Sequence, residues 1–451
     1  MTSKTKETTA VSRRSFLRGA GLFAAGAAIG FPTIIPSKVF GSDAPSGKIN
    51  IGMIGCGRQA IGVNLSPLLS NPMSQVVAVC DVDSWRLENG QKKVEEHYGK
   101  QKDSGSWKGC KAYSDFRELL ASKDIDAVMI STPDHWHVPM AIAAVRAGKD
   151  VSLEKPITRY IDEGRILATE VSRHKRVFRV DSEFRSLEAF HRAAELVRNG
   201  FIGKLHTMRT GSPKEVFPDE PAIEAPAPAG LDYEMWLGPA PLVPYMQKRV
   251  HTPNNLTSRP GWMRNLDYCD GMITNWGTHL NDIAQWGAGT ERTGPVEIEA
   301  TGKYHDDKVW NVLEKFDVRY RFADGMQLFY QMGQPHVRFE GDKGWLQVNY
   351  GEDKITASSP EIINAVIPPD GIRFPLKSDK QDFLDAIKTR GRTLEDEEVG
   401  QRTTSLCHLA QISIKLGGAK LAWDPAKEEF IGNDAANQLT KRPPMRGSWT
   451  L

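Results

Sequence analysis

Lys48-Ile-Asn-Ile-Gly-Met-Ile-Gly-Cys-Gly-Arg-Gln-Ala60 is the stretch that decides how the chain is read. Ile49, Ile51, Met53 and Ile54 spell a short buried strand, and Gly55, Gly57 and Ala60 follow it in a G-x-G-x-x-A pattern that opens a helix. Gly55 permits the tight turn, Gly57 lets backbone approach a pyrophosphate, and Ala60 lets helix and strand pack closely. Arg58 stands at the helix N-terminus, whose free N–H groups attract phosphate. A second apolar run, Gln75-Val-Val-Ala-Val-Cys80, ends in Asp81 about 20 residues further on, where a ribose-binding acid belongs. The pair predicts a dinucleotide site. Asp81 favours NAD, because a carboxylate repels the extra phosphate of NADP, while Arg58 and Arg86 leave NADP open.

Working outward, the chain alternates strands and helices from Gly47 to about residue 180, the signature of a parallel sheet covered on both faces. Strands are expected over 127–130, 151–154 and 177–180, and helices over 86–98, 138–147 and 161–174. The second half differs: a helix over 188–199, a proline-rich excursion over 213–244, then period-two strands over 296–301, 316–322, 326–331, 337–340 and 344–349. Short turns at Ala323-Asp-Gly325 and Gly341-Asp-Lys-Gly344 join them into an antiparallel sheet. Two amphipathic helices, over 381–389 and 401–416, close the chain. The reading is therefore α/β, with a doubly wound parallel-sheet domain over 47–180 followed by an α+β domain over 181–451.

Ahead of both lies Ser12-Arg-Arg-Ser-Phe-Leu-Arg18, then an Ala/Gly-rich apolar run to Ile35 and Pro36-Ser-Lys-Val-Phe-Gly-Ser42. This order reads as a twin-arginine export signal over 1–41, implying a periplasmic or otherwise exported protein and the twin-arginine machinery as a partner. The apolar run is short and contains Pro32, so no stable membrane span is expected after processing. Residues 1–41 hold six Lys/Arg against one acid, leaving 52 basic and 55 acidic residues in the remainder. That balance gives no case for nucleic acid. The 5 cysteines are widely spaced with no C-x-x-C pair and read as buried free thiols.

Ligands of an open parallel sheet sit beyond the carboxyl ends of its strands. There the chain carries Ser131-Thr-Pro-Asp-His-Trp-His137 and Glu154-Lys155-Pro156. Pro156 restrains Lys155 to an extended conformation that points its ammonium into the crevice, where it can hold a substrate hydroxyl or move its proton. His135 and His137 lack a matched third ligand and read as hydrogen-bonding groups, one capping the next helix, with no metal. In Cys269-Asp-Gly-Met-Ile-Thr-Asn-Trp-Gly-Thr-His-Leu-Asn-Asp282, helical periodicity places Asn275, His279 and Asp282 on one face, a stripe suited to proton transfer.

With Gly55-Cys-Gly57, Thr132-Pro133, Glu154-Lys-Pro156 and the His279 helix in this order, the chain resembles the glucose–fructose oxidoreductase, inositol dehydrogenase and MocA-like family of sugar and polyol oxidoreductases, from Lys48 to Leu451. The resemblance implies a Rossmann domain followed by a domain with a large open, mainly antiparallel sheet, and a homo-oligomer. It implies that Lys155 and His279 are catalytic. Gly55, Gly57, Arg58, Ala60, Asp81, Thr132, Pro133, His137, Glu154 and Lys155 would bind the cofactor, and Arg185, Tyr268, Asn275 and Asp282 a carbohydrate. Asp282-Ile-Ala-Gln-Trp286 and Trp423-Asp-Pro look like the exported branch. In one respect the chain departs from the family, whose dehydrogenases usually place an aspartate where Asn275 stands. Implied activities are NAD(P)-dependent oxidation of a sugar, polyol or glycoside hydroxyl with a tightly bound nicotinamide, or redox-neutral glycoside cleavage through oxidation, elimination and re-reduction. A non-catalytic sugar-binding protein is a third reading.

Overall fold

Strands that read as continuous apolar runs are buried on both faces, and those that alternate are buried on one. The structure, a computed structural model, describes residues 47–99, 107–219 and 221–451. The expected export signal over 1–41 lies outside the described residues, as do residues 100–106 of the polar insertion. Six strands form the first sheet: β1 (Ile49–Ile54), β2 (Ser74–Cys80), β3 (Lys111–Tyr113), β4 (Ala127–Ile130), β5 (Asp150–Glu154) and β6 (Phe178–Asp181). They pair in parallel in the order β3-β2-β1-β4-β5-β6, and the chain reverses direction of travel between β1 and β4. Every residue of β4 and β5 is buried, as expected of parallel strands covered on both sides. The covering helices are α1 (Leu65–Ser70), α2 (Ser84–Gly99), α3 (Phe116–Ala121), α4 (His137–Arg146) and α5 (Ile161–His174).

The second sheet has nine strands: β7 (Leu205–Ser212), β8 (Glu297–Tyr304), β9 (Leu313–Arg321), β10 (Gln327–Met332), β11 (His336–Gly341), β12 (Gly344–Asn349), β13 (Ile355–Ala357), β14 (Leu421–Asp424) and β15 (Glu429–Phe430). Their order is β13-β12-β11-β7-β10-β9-β8-β14-β15, and only the β7–β10 pairing is parallel. On β9, Phe316, Val318 and Tyr320 point into the core while the residues between them are open to solvent. Helices α6 (Glu188–Arg198), α9 (Gly277–Ala288) and α12 (Glu397–Lys415) cover that face, burying Leu328, Tyr330, Val337 and Phe339 against Leu280, Ile283, Trp286 and Leu406. The other described helices are α7 (Tyr233–Leu237), α8 (Met272–Asn275), α10 (Pro360–Ile363), α11 (Asp379–Thr389) and α13 (Asp434–Leu439).

Two features differ from the sequence reading in ways that matter for the site. First, α11 returns to the first sheet: Phe383, Leu384 and Ala386 bury with Ile49, Ile51, Val76 and Ala127. Second, the helix expected to carry Asn275, His279 and Asp282 on one face is two helices, α8 and α9, broken at Trp276. Gly277 opens α9 where a Cβ would lie 2.6 Å from the Cys407 sulfur of α12 and 3.1 Å from the Tyr330 hydroxyl. Tight packing there, invisible to periodicity, sets the start of α9.

Candidate active site

At the end of β1 the backbone turns through Gly55 at φ +90°, a region that favours glycine, and a Cβ there would sit 2.5 Å from the Ser131 carbonyl oxygen. Gly57 is different: a Cβ on it would meet no heavy atom within 4 Å. Its role is to leave space. The Cys56 and Asp83 N–H groups donate to Asp81 at 2.7 and 2.9 Å, fixing the carboxylate beside the turn. Burial pushes the Asp81 carboxyl up, and these two amides and Arg86 oppose it. Ala60, fully buried, begins a widened helical turn, Ala60–Asn64, that leads into α1.

Asn64 at the end of that turn ties three elements together. It donates to Ser131 Oγ beyond β4 (3.0 Å) and to Glu154 at the end of β5 (2.8 Å), and it accepts from Lys380 of α11 (3.0 Å). His137 lies 2.6 Å from the Pro156 carbonyl through Nδ1 and 3.0 Å from the Thr132 carbonyl through Nε2, so it clamps the two strand-end loops against each other. The expected helix-capping histidine is not found: His135 bonds the Trp236 carbonyl at 3.1 Å, and the residue at the α4 N-cap is Trp136, without a side-chain cap. Asp134, buried in the same loop, has its carboxyl pushed up to about 6 by burial, partly offset by His137 and Lys155.

Lys155 leaves the end of β5 and donates to the Asn275 carbonyl at 3.3 Å. His279 is buried one layer further in, with Nδ1 2.8 Å from Ser182 Oγ and its ring stacked on Phe184 at 4.4 Å between centroids. Burial, then the Lys155 charge, depress its pKa well below the usual histidine value. The ring is neutral at physiological pH, and Nε2 makes no hydrogen bond among the described residues.

Three candidate substrate residues, Arg185, Tyr268 and Asp282, are buried and do not line the cleft that Lys155 lines. Arg185 and Asp282 form a bidentate pair at 2.7 and 2.6 Å, both buried, with the guanidinium also bonded to the Leu394 carbonyl and 4.8 Å from the Trp286 ring centre. The pair joins the start of the second half to α9, and its charges satisfy each other. Tyr268 is fully buried, packed against His135 and Trp236 at 5.1 and 4.9 Å. It forms the wall behind the loop.

Gly55, Gly57, Arg58, Asp81, Thr132, Pro133, His137, Glu154, Lys155 and Asn275 all line one cleft, its mouth open to solvent. The sequence reading missed its roof. His251, Asn255, Ser258, Pro260, Trp262 and Met263, from beyond the proline-rich excursion, cover the cleft on the Asp81 side. They are pinned by His251 to Asp83 (3.0 Å) and by Arg86 to the Asn255 carbonyl (3.0 Å). These residues fit a dinucleotide: open space over Gly57, an acid at the end of β2, and a buried Thr132 hydroxyl with no partner among the described residues. Ser182, Glu183 and Phe184 were also missed. They follow β6, so the strand-end rule that singled out Lys155 would have found them.

Comparison with known proteins agrees with this geometry. Residues 49–182 match the model of an oxidoreductase family, NAD-binding Rossmann fold, and residues 218–451 match its C-terminal alpha/beta domain. A glycosyl hydrolase family 109 protein 2 of Shewanella sp. (strain ANA-3) is 33% identical over 163 residues, 34% of this chain and 35% of the relative. A glycosyl hydrolase family 109 protein of Stenotrophomonas maltophilia is 30% identical over 211 residues, 45% of this chain and 42% of the relative. The matches thus span less than half the length of these curated relatives. Among solved structures, an aldose-aldose oxidoreductase from Caulobacter crescentus complexed with glycerol superposes with a TM-score of 0.60 at 17% identity, covering 83% of this chain and 99% of the other. The WlbA dehydrogenase from Bordetella pertussis, in complex with NADH and UDP-GlcNAcA, gives 0.59 at 15% identity over 84% and 99%.

Proposed function

The chain belongs to the Gfo/Idh/MocA oxidoreductase family, matched over both its NAD-binding Rossmann fold and its C-terminal alpha/beta domain, and from that premise we propose that it oxidises a hydroxyl of a sugar, polyol or glycoside using a tightly held NAD. The observation that carries the reading is that Lys155 lines the same cleft as the glycine turn and Asp81, with buried His279 close enough to feel its charge. Bound NAD supplies a reversible hydride acceptor. Lys155, steadied by the Asn275 carbonyl, is suited to hold the substrate oxygen and to move its proton. With Nδ1 of His279 engaged by Ser182, Nε2 is the nitrogen left for a second substrate hydroxyl.

A second reading, redox-neutral glycoside cleavage, is favoured by the relatives named as glycosyl hydrolase family 109 proteins. In it, oxidation of a ring hydroxyl acidifies the neighbouring C–H, elimination expels the aglycone, and re-reduction restores the ring. The twin-arginine leader supports the same logic, since that route exports folded proteins and a cofactor bound inside would travel with them. Such a cofactor has to be regenerated in place, by a second substrate or within one cycle.

The experiment is to recover the protein after export, measure its nicotinamide content, and offer it sugars and aryl glycosides. Reduction of bound nicotinamide by a sugar supports oxidation; aglycone release without net reduction supports cleavage. Protein that carries nicotinamide and does neither overturns both readings, and export unchanged by Arg13→Lys with Arg14→Lys removes the leader from the argument.

A further inference from the structure

Three aromatic side chains gather at His279, and they do not all close over one another. Phe184 lies between two rings, stacked on His279 at 4.4 Å and 17° and on Tyr350 at 5.2 Å and 3°. Trp276 stands edge-on to this column, 5.0 Å from the Tyr350 ring centre at 87° and 6.4 Å from that of His279. Phe184 is buried, but Tyr350, directly after β12, is 44% exposed and Trp276 is half-buried. The two form a right-angled corner that reaches solvent. Its polar tips are unused: among the described residues neither the Trp276 indole N–H nor the Tyr350 hydroxyl makes a hydrogen bond, and neither is sealed from water. The corner also belongs to the site. Trp276 follows Asn275, whose carbonyl takes the Lys155 ammonium, and the Trp276 carbonyl accepts the His279 N–H at 3.1 Å. On the other side, the Tyr350 N–H donates to the Pro335 carbonyl at 2.9 Å and so ties the turn after β12 in place.

We propose that Trp276 and Tyr350 are the subsite for the second ring of a disaccharide or longer saccharide whose first ring is held at Lys155 and His279. The inference rests on the reading above, that those two groups act on a sugar hydroxyl, and narrows the substrate to one with at least two sugar rings. A pyranose carries a face of C–H groups and an edge of hydroxyls. It is matched by an aromatic face with a hydrogen-bonding tip, and Trp and Tyr are the side chains that combine the two. The corner supplies both kinds of contact, two ring faces together with one N–H donor and one hydroxyl that can donate or accept. A flat aryl aglycone would use the faces and leave both tips unused, so the occupant that fits is a sugar. Asn275, the residue before Trp276, lines the cleft with Lys155, and the Trp276 ring neighbours that of His279, so the second ring lies beside the first and not in a separate site. Phe184, packed between Tyr350 and His279, keeps the corner and the imidazole in one column. A free monosaccharide or polyol would leave the corner empty.

The test uses the full chain with its nicotinamide bound, first as Tyr350→Ala and Tyr350→Phe, since an exposed ring can be removed without unfolding the protein. For a disaccharide that the wild type turns over, the alanine variant is expected to raise KM about ten-fold and to change kcat by less than about two-fold. The phenylalanine variant keeps the ring and loses the hydroxyl, and is expected to recover part of that KM. The KM of the corresponding methyl glycoside, which has one sugar ring, is expected to move far less, so the preference for the disaccharide collapses. Trp276→Phe is the second variant and is expected to act in the same direction. An unchanged disaccharide KM in Tyr350→Ala overturns the proposal, as do equal changes for the disaccharide and the methyl glycoside. Aryl glycosides that lose more than disaccharides in Tyr350→Ala overturn the assignment of a sugar to the corner. If the wild type turns over no sugar, the functional reading has failed on its own account, and calorimetric titration with disaccharides and methyl glycosides decides this one. Tighter disaccharide binding that Tyr350→Ala abolishes supports it, and equal affinity for the two overturns it.

Discussion

At one end of the cleft, residues that are neighbours in sequence do the work: Gly55 turns the chain, Gly57 leaves room, and the Cys56 amide holds Asp81 at 2.7 Å. At the other end, Lys155, Ser182, Asn275 and His279 come from four separate segments and meet only because two sheets and the broken α8–α9 unit are packed together. The first end is a local backbone shape that a short motif specifies. The second is a product of tertiary packing, in which each side chain depends on the placement of another element.

The local end can be broken in two distinct ways, one of which should cost all cofactor binding. Gly55→Ala forces a Cβ to within 2.5 Å of the Ser131 carbonyl at φ +90° and should cost about 1–3 kcal/mol in chemical denaturation even without cofactor. A Cβ on Gly57 meets no atom within 4 Å, so Gly57→Val should leave stability within roughly 0.5 kcal/mol of wild type and yet abolish nicotinamide retention. Equal destabilisation by both would mean that Gly57 is a structural glycine and the cleft has been misread.

At the assembled end, Asp282→Ala leaves Arg185 buried without its partner and should destabilise the chain by about 3–5 kcal/mol. Near-native stability with a raised substrate KM would instead return the pair to the substrate pocket. Asp134 gives a pH signature. Its folded pKa of about 6 lies above the unfolded aspartate value, so its contribution is present at low pH and lost as pH rises through 6. Relative to Asp134→Asn, the wild type should lose roughly 3 kcal/mol between pH 4 and pH 7, about two pK units' worth. A difference constant with pH would show that Asp134 titrates normally. The smallest effect is expected from Asn275→Asp, a new carboxylate on the cleft wall beside Lys155. It should favour the protonated form of His279 and alter kcat by roughly a factor of five, the ~1 kcal/mol of a charge pair in a solvated cleft. Identical pH profiles for variant and wild type would put the 275 side chain outside the reacting region.

The same contrast explains what the sequence could disclose. Periodicity found the helix Ile161–His174 and the strand Ala127–Ile130 at their observed ends, because each buries its own repeat of apolar residues. The glycine turn was readable because backbone conformation demands particular residues at fixed offsets. By contrast, the α8–α9 break depends on Cys407 and Tyr330, and the Arg185–Asp282 pair on a helix 97 residues downstream, separations that local pattern does not encode. Lys155 was found because it ends a strand next to proline. Ser182 and Phe184 follow a strand end too, and the same rule would have reached them, but no motif marks them and only the packing of α9 shows that both touch His279.

The central claim is that Lys155 acts on a substrate hydroxyl at the end of an NAD cleft without helping to hold the cofactor. Rapid mixing of wild type and Lys155→Ala, each with its bound nicotinamide, against candidate sugars and glycosides tests it most directly. The account predicts that both proteins carry stoichiometric nicotinamide, that the wild type reduces it or releases aglycone, and that the variant is slower in that step by about 10²- to 10⁴-fold. A variant that keeps the wild-type rate, or one that loses its nicotinamide, would contradict it.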